Sequence, residues 1–198
     1  MQIVDVKQGS AAWLTARGCI PTSSCFDMIV TSKGEPSKQR TKYLYKLAGQ
    51  RVSGVYEESY KSAAMERGTE MEAQAKLAYE FINDVKIDEV GFCVSDCGRY
   101  GSSPDGLIGD DGLIEIKCPI ITTQVGYLLD NSLPTDYVQQ VQGELLVTGR
   151  KWADFFSFFP GMRPLQIRVY PDAKFQEALK RELIAASEEL ENIVKKLQ

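Results

Sequence analysis

The chain has 198 residues, 43% of them apolar and 25% charged, with a formal net charge of −4 and no histidine. That length fits one domain, 1–198, with a core of its own. The missing histidine removes Ser-His-Asp hydrolysis, Cys-His nucleophiles, histidine-ligated zinc and histidine general bases, so proton chemistry falls to carboxylates, lysine or a metal-activated water.

No apolar run is long enough to cross a bilayer, so no membrane partner is expected. Met1 to Lys7 carries neither the basic region nor the apolar stretch of a secretory signal. A cytoplasmic setting with five mostly reduced cysteines is therefore expected. An acidic total argues at first against a nucleic-acid partner, but the distribution is uneven. Residues 1–60 hold eight Lys/Arg against five Asp/Glu, and Lys33, Lys38, Arg40, Lys42, Lys46 and Arg51 share their stretch with Glu35 alone. Residues 61–170 hold ten basic and sixteen acidic side chains, and 171–198 hold five and six. This suits a basic gripping region over 1–60, a catalytic core over 61–170 and a terminal helix over 171–198. The plainer reading of the basic run is the solvated face of a helix.

Taken in chain order, Ser10 caps a short helix through Arg17, and Thr22 or Ser23 caps one through Val30. The loop from Thr31 to Ser37 leads to a helix over about Lys38–Val52. A polar stretch, Ser53 to Lys61, precedes a longer helix over about Ala63–Ile82. Strands are predicted over Val85–Val94, Tyr100–Ile108 and Leu113–Ile116. Helices follow at Thr122–Leu129 and Thr135–Val147, then strands at Trp152–Phe159 and Leu165–Val169. From Asp172 the chain reads as an amphipathic helix with Phe175, Leu179, Leu183, Leu190 and Leu197 on one stripe, packed on the core or on another subunit. The sum is an α/β fold, a central mixed sheet flanked by helices.

The chemistry concentrates in Ser103-Pro104-Asp105-Gly106 and Glu115-Ile116-Lys117. Two short apolar runs joined by Gly109-Asp110-Asp111-Gly112 predict a β-hairpin with Asp105 and Glu115 near one end. Carboxylates brought together repel unless a cation lies between them, and Mg²⁺ favours oxygen ligands. Lys117, two residues beyond Glu115, projects from the same face and can orient a water or steady a phosphate.

A bare Glu-x-Lys triplet arises roughly once by chance in a chain this long. The full pattern, however, resembles the P-D…(D/E)-x-K nuclease superfamily, with its restriction-endonuclease-like core. From near Gln8 to about Pro160 the chain resembles the phage recombination (alkaline) exonucleases typified by lambda exonuclease. The resemblance implies roles for four patches. In Gln8-Gly9-Ser10…Trp13…Arg17-Gly18-Cys19-Ile20-Pro21-Thr22-Ser23-Ser24, it makes Arg17 and Ser24 ligands of the terminal DNA phosphate, for which a guanidinium fork is suited. In Arg67-Gly68-Thr69-Glu70-Met71-Glu72, the family register selects Glu72 as a metal carboxylate, where pattern alone leaves Glu66 and Glu70 open. In the central patch it makes Asp105, Glu115 and the Ile116 carbonyl metal ligands, Lys117 the residue positioning the attacking water, and Ser103 a phosphate contact. Family members can carry arginine where this chain has Thr123, so end-phosphate recognition is looser or shared with Thr122 and Thr123. In Tyr137-Val138-Gln139-Gln140-Val141-Gln142, Gln140 corresponds to a glutamine beside the active site.

The resemblance thus implies a double-strand DNA exonuclease using Mg²⁺, one ion or two, with Mn²⁺ as substitute. It would digest 5′→3′ from duplex ends, release mononucleotides and leave 3′ single strands. It further implies a homotrimeric ring and a single-strand annealing recombinase as partner. A structure-specific or restriction-type endonuclease of the same superfamily is the nearest alternative. A non-catalytic DNA-binding module and a dimerisation protein built on the tail helix are the others. The cysteines, Cys93 and Cys97 among them, lack the usual iron–sulfur or zinc spacings and read as ordinary free thiols.

Overall fold

The structure, a computed structural model of the chain, describes residues 1–56 and 63–198, the side chains of 63–67 and of Thr69 excepted. The expected polar stretch Ser53 to Lys61 falls partly outside the described residues, as do the side chains of Glu66 and Arg67.

Strands β1 (Gln2–Val4), β2 (Phe92–Val94) and β3 (Gly101–Ser102) form one antiparallel sheet. Strands β4 (Gly106–Ile108), β5 (Gly112–Lys117), β6 (Trp152–Ser157) and β7 (Leu165–Val169) form a second, mixed sheet in that order. Only β5 and β6 run parallel in it; the crossover between them carries α4 (Ile121–Asp130) and α5 (Val138–Thr148). The predicted mixed sheet flanked by helices is the architecture found.

The predicted strand Tyr100–Ile108 divides between the two sheets at Ser103-Pro104-Asp105. Proline has no N–H for a ladder, so pairing stops there and the chain turns from one sheet to the other. Asp105 sits in that break. Of the predicted Val85–Val94 strand only its last three residues pair as a strand, although Asp88 bridges Leu107. The predicted helix from Thr22 is a 3₁₀ helix, Ser23–Met28, without a side-chain cap; the Thr22 hydroxyl oxygen accepts from Arg17 Nη2 instead. Ser10 caps α1 (Ala11–Ala16) as expected, accepting from Trp13 N.

Period-two alternation sorts the second sheet into two faces. Leu113, Ala153, Phe155 and Leu165 pack under α5, α2 (Arg40–Ser53) and α6 (Ala173–Leu197). Ile114, Ile116 and Phe156 pack under α3 (Ala63–Asn83), through Ala75 and Tyr79. The α6 stripe Phe175, Leu179, Leu183 and Leu190 is buried within this molecule, whereas Leu197 is 56% exposed. At about 25 cal/mol per Å², those four side chains help fasten α6 to α2. Arg40 adds ion pairs at 3.1 Å to Glu182 and Glu189, and Arg51 pairs with Glu191. No helix of the described residues is long and apolar enough to cross a membrane.

Candidate active site

Gly106 pairs with Ile114, so the antiparallel register sets Asp105 opposite Glu115 on the face that α5 covers. Asp105 N donates to Ile114 O at 3.1 Å, and Asp105 Oδ2 accepts from Ile116 N at 2.6 Å. Those two bonds lock the Asp105 carboxylate onto β5. Its neighbour is Glu115, only 2% exposed, whose Oε1 takes Lys117 Nζ at 2.5 Å and Gln140 Nε2 at 2.6 Å. The Lys117 ammonium also lies 4.9 Å from the centre of the Tyr137 ring.

Charge is badly balanced here. Burial first, then the nearby charges of Glu115 and Glu72, push the Asp105 carboxyl well above its ordinary range. Burial pulls the Lys117 ammonium down, but Glu115 and Asp105 outweigh it and its proton is held more tightly than usual. Glu72, on α3, comes near Asp105 at the edge of the sheet, where its charge acts on the Asp105 carboxyl. It pairs with Lys76 at 2.9 Å, and with Asp105, Gln8 and Trp13 it lines a cleft of about 640 Å³. Gln8 Nε2 braces this cleft by donating to Val90 O and Pro104 O at 2.8 and 2.9 Å.

The donor set fits a hard divalent cation. It offers carboxylate oxygens and a backbone carbonyl, its acidic groups outnumber its cations, and Asp105 Oδ1 and Glu115 Oε2 are engaged by none of these bonds. Among the described residues no three acidic or thiol side chains yet close around a common point. In this arrangement Lys117 and Gln140 attend Glu115 from the protein side.

Arg17, Ser24 and Ser103 gather around Trp13. Arg17 stacks with its guanidinium carbon 4.2 Å from the indole centre, and Trp13 Nε1 donates to Ser103 Oγ at 2.9 Å. Arg17 donates to Thr22 Oγ1 at 3.0 Å and Ser24 Oγ at 3.2 Å. Among the described residues no carboxylate pairs with Arg17, and burial lowers its proton affinity without discharging it. Arg17 is thus a half-buried cation held by an indole ring and two hydroxyls, with no counter-charge among the described residues. Thr123 stands apart: half-buried in the first turn of α4, it has no hydrogen bond among the described residues to Arg17 or Ser24.

Three residues at these sites escaped sequence reasoning. Lys46, hidden in the basic run, shares a cavity of about 160 Å³ with Arg17, Thr22 and Tyr43. Gln8, quoted only as part of a motif, braces the loop before Asp105. Glu144, one turn beyond Gln140, is fully buried against the site; its i,i+4 spacing from Gln140 was the available signal.

Solved structures of known proteins share this fold. Among curated proteins, none matches the sequence. The crystal structure of an alkaline exonuclease (LHK-Exo) from Laribacter hongkongensis superposes with a TM-score of 0.87 at 32% identity, covering 95% of this chain and 96% of that one. The same protein in complex with dAMP matches equally, with a TM-score of 0.87. A phage-related exonuclease from Haemophilus somnus 129PT shares the fold at 14% identity, with a TM-score of 0.74 over 90% of this chain and 96% of its own. The family model for the YqaJ-like viral recombinase domain matches residues 12–151. The protein belongs to the YqaJ-like viral recombinase domain family.

Proposed function

We propose that the protein is a deoxyribonuclease, a divalent-cation-dependent exonuclease that digests double-stranded DNA 5′→3′ from its ends in the cytoplasm. The observation that carries this reading is Asp105 set opposite Glu115 with the Lys117 ammonium 2.5 Å from the same carboxylate. Similarity to an alkaline exonuclease at 32% identity supports it.

Glu72, Asp105, Glu115 and the Ile116 carbonyl would hold Mg²⁺, or Mn²⁺ in its place. Bound there, such an ion supplies Lewis-acid polarisation of the phosphodiester and lowers the pKa of the attacking water. Lys117 has two N–H donors beyond the one facing Glu115, enough to hold that water and a phosphate oxygen in line. Gln140, braced on Glu115, keeps the carboxylate from swinging away. Attack on phosphorus breaks the P–O3′ bond; the terminal nucleotide leaves as a 5′-mononucleotide, and the next one carries a new 5′-phosphate. Arg17 and Ser24, with Ser103 beside them, receive that terminal phosphate, and exposed Lys46 adds charge at its rim. Thr123 has a lesser part, reached only through the end of α4. The basic residues of 1–60 contribute less than their number suggests, since Arg40 and Arg51 are committed to α6. A homotrimeric ring would hold the duplex near the site, and a single-strand annealing recombinase would take up the exposed 3′ strand.

The test is a linear duplex labelled at one end or the other, with and without Mg²⁺, beside a closed circle. Labelled mononucleotide from the 5′ end, only with Mg²⁺ and with the circle intact, is expected. Cutting of the circle would replace this reading with an endonuclease, and 3′-end release would reverse the polarity.

A further inference from the structure

Glu144 is a buried acid that the hydrolytic scheme above leaves without a task. Its side chain is 0% exposed, and its Oε2 has no hydrogen-bond partner among the described residues. Its Oε1 accepts from Gln140 Nε2 at 3.1 Å and from Ser23 Oγ at 3.4 Å. Burial, then Glu115 and Asp105, raise its carboxyl well above the ordinary range. Such a group is costly to keep inside a fold. An aliphatic residue would fill the space at lower cost, so its acceptor oxygen needs a reason.

The reason lies in what it touches on each side. Gln140 gives one amide hydrogen to Glu115 and the other to Glu144. An acceptor at both ends prevents the amide from flipping and presenting its carbonyl to Glu115. Ser23 sits between Thr22 and Ser24, the two hydroxyls that hold Arg17. The packing that joins these elements leaves little play. A Cβ added at Gly143 would stand 2.3 Å from the Phe26 ring, and Gln139 Nε2 donates to Val30 O at 3.3 Å. α5 and the 3₁₀ helix Ser23–Met28 therefore pack in direct contact.

We propose that Glu144 is a positioning residue that couples the terminal-phosphate pocket to the catalytic carboxylates, through Ser23 on one side and Gln140 and Glu115 on the other. This rests on the reading of Arg17 and Ser24 as the phosphate pocket. When a terminal phosphate draws Arg17 and its hydroxyls inward, Ser23 and Glu144 shift with them, and Gln140 is set against Glu115. Every cut creates a new 5′-phosphate, so the coupling favours hydrolysis whenever an end is correctly seated.

The experiment measures kcat and KM for release of the first, base-labelled nucleotide alone, from linear duplexes bearing 5′-phosphate or 5′-hydroxyl ends, for the wild type, Glu144→Gln, Glu144→Ala and Ser23→Ala. The wild type is expected to favour the phosphorylated end in kcat by about tenfold, the scale of an ordinary coupling between sites. Glu144→Ala should bring that ratio to about one with KM changed less than about twofold, and Glu144→Gln, which keeps an acceptor oxygen, should restore it. Ser23→Ala, which removes one hydroxyl and leaves Gln140 untouched, should lower the ratio too and serves if Glu144→Ala fails to fold. A wild type blind to the phosphate overturns the pocket reading and the coupling together. A preference that survives both Glu144→Ala and Ser23→Ala overturns the coupling alone. Equal loss on both ends makes Glu144 a mere support of Glu115 and also overturns it.

Discussion

Asp154 and Glu115 lie on neighbouring strands of one sheet, one residue apart in register, and point to opposite faces. On the α3 face Asp154 is fully buried, yet it accepts from Tyr79 Oη at 2.5 Å, Gln166 Nε2 at 3.0 Å and the Arg168 fork at 2.8 and 2.9 Å. Arg168 in turn stacks 3.8 Å from the Trp152 ring centre. On the α5 face Glu115, Asp105 and the nearby Glu144 share the Lys117 ammonium and the Gln140 amide. One carboxylate is answered in full by the protein. The other group is left short of positive charge, with the Asp105 and Glu144 carboxyls raised above their ordinary range. A fold able to build the first network has no chemical obstacle to building a second, and the shortage is what the proposed divalent cation would relieve.

The sharpest way to break this comparison is to neutralise the crowded side. Lys117→Ala should lower kcat about 10²- to 10⁴-fold, the range for a positioned group that handles a proton, and Asp105→Asn at least as much. In metal-free buffer Asp105→Asn should nevertheless raise stability by about 0.5–2 kcal/mol, as expected where an active site holds unfavourable charge. Thermal unfolding in chelator, paired with single-turnover digestion, checks both signs at once. A metal-free Asp105→Asn protein that melts lower than the wild type would mean that the α5 face is as well satisfied as the α3 face. Added Mg²⁺ should raise the melting temperature of the wild type and leave Asp105→Asn nearly unmoved.

The opposite outcome is expected at Asp154. Removing one partner of a buried pair strands the other, and Asp154→Ala should cost about 3 kcal/mol, the low end for such a break. The low end applies because Arg168, 44% exposed, can turn to water. That corresponds to about 6–12 °C of melting temperature for a domain of this size. Cleavage per folded molecule should stay within about twofold, read by activity normalised to folded protein below the transition. A large loss of kcat here would mean that the two faces are not separate.

The chemical core was legible because hairpin register is short-range: Gly109 to Gly112 sets the turn, and the turn sets Asp105 against Glu115. The helices were legible from periodicity and caps, as at Asp172, whose Oδ1 accepts from Phe175 N at 3.0 Å. Reading Tyr100–Ile108 as one strand failed because apolar alternation continues across Pro104, whereas the missing N–H divides the pairing between two sheets. Val85–Val94 failed in the same way, since its earlier residues meet only an isolated bridge. Long-range partners were out of reach. Nothing in the spacing of Tyr79, Asp154 and Arg168 says that they meet, and nothing local separates buried Glu144 from a solvated helix glutamate. The basic run of 1–60 read as a gripping surface, but Arg40 and Arg51 are occupied by acids some 140 residues away in sequence, at separations of 142 and 140. Lys46, by contrast, faces the Arg17 cavity.

The finest distinction between the two faces concerns how redundantly Asp154 is served. Tyr79→Phe removes one neutral donor from a buried anion and should cost about 1.5 kcal/mol, because hydrogen bonds to charged groups are worth more than neutral ones. Its ring still packs edge-on against Phe156 at 5.2 Å, so the loss belongs to the hydroxyl and not to a cavity. Arg168→Lys keeps the charge but gives up the fork and the stack on Trp152. Since Arg168 is nearly half exposed, that change should cost less than about 1 kcal/mol. Chemical denaturation of both variants should therefore rank Tyr79→Phe below Arg168→Lys in stability. The reverse ranking would show that Asp154 depends mainly on its counter-charge, and the α3 face would then resemble the α5 face more closely than its hydrogen bonds indicate.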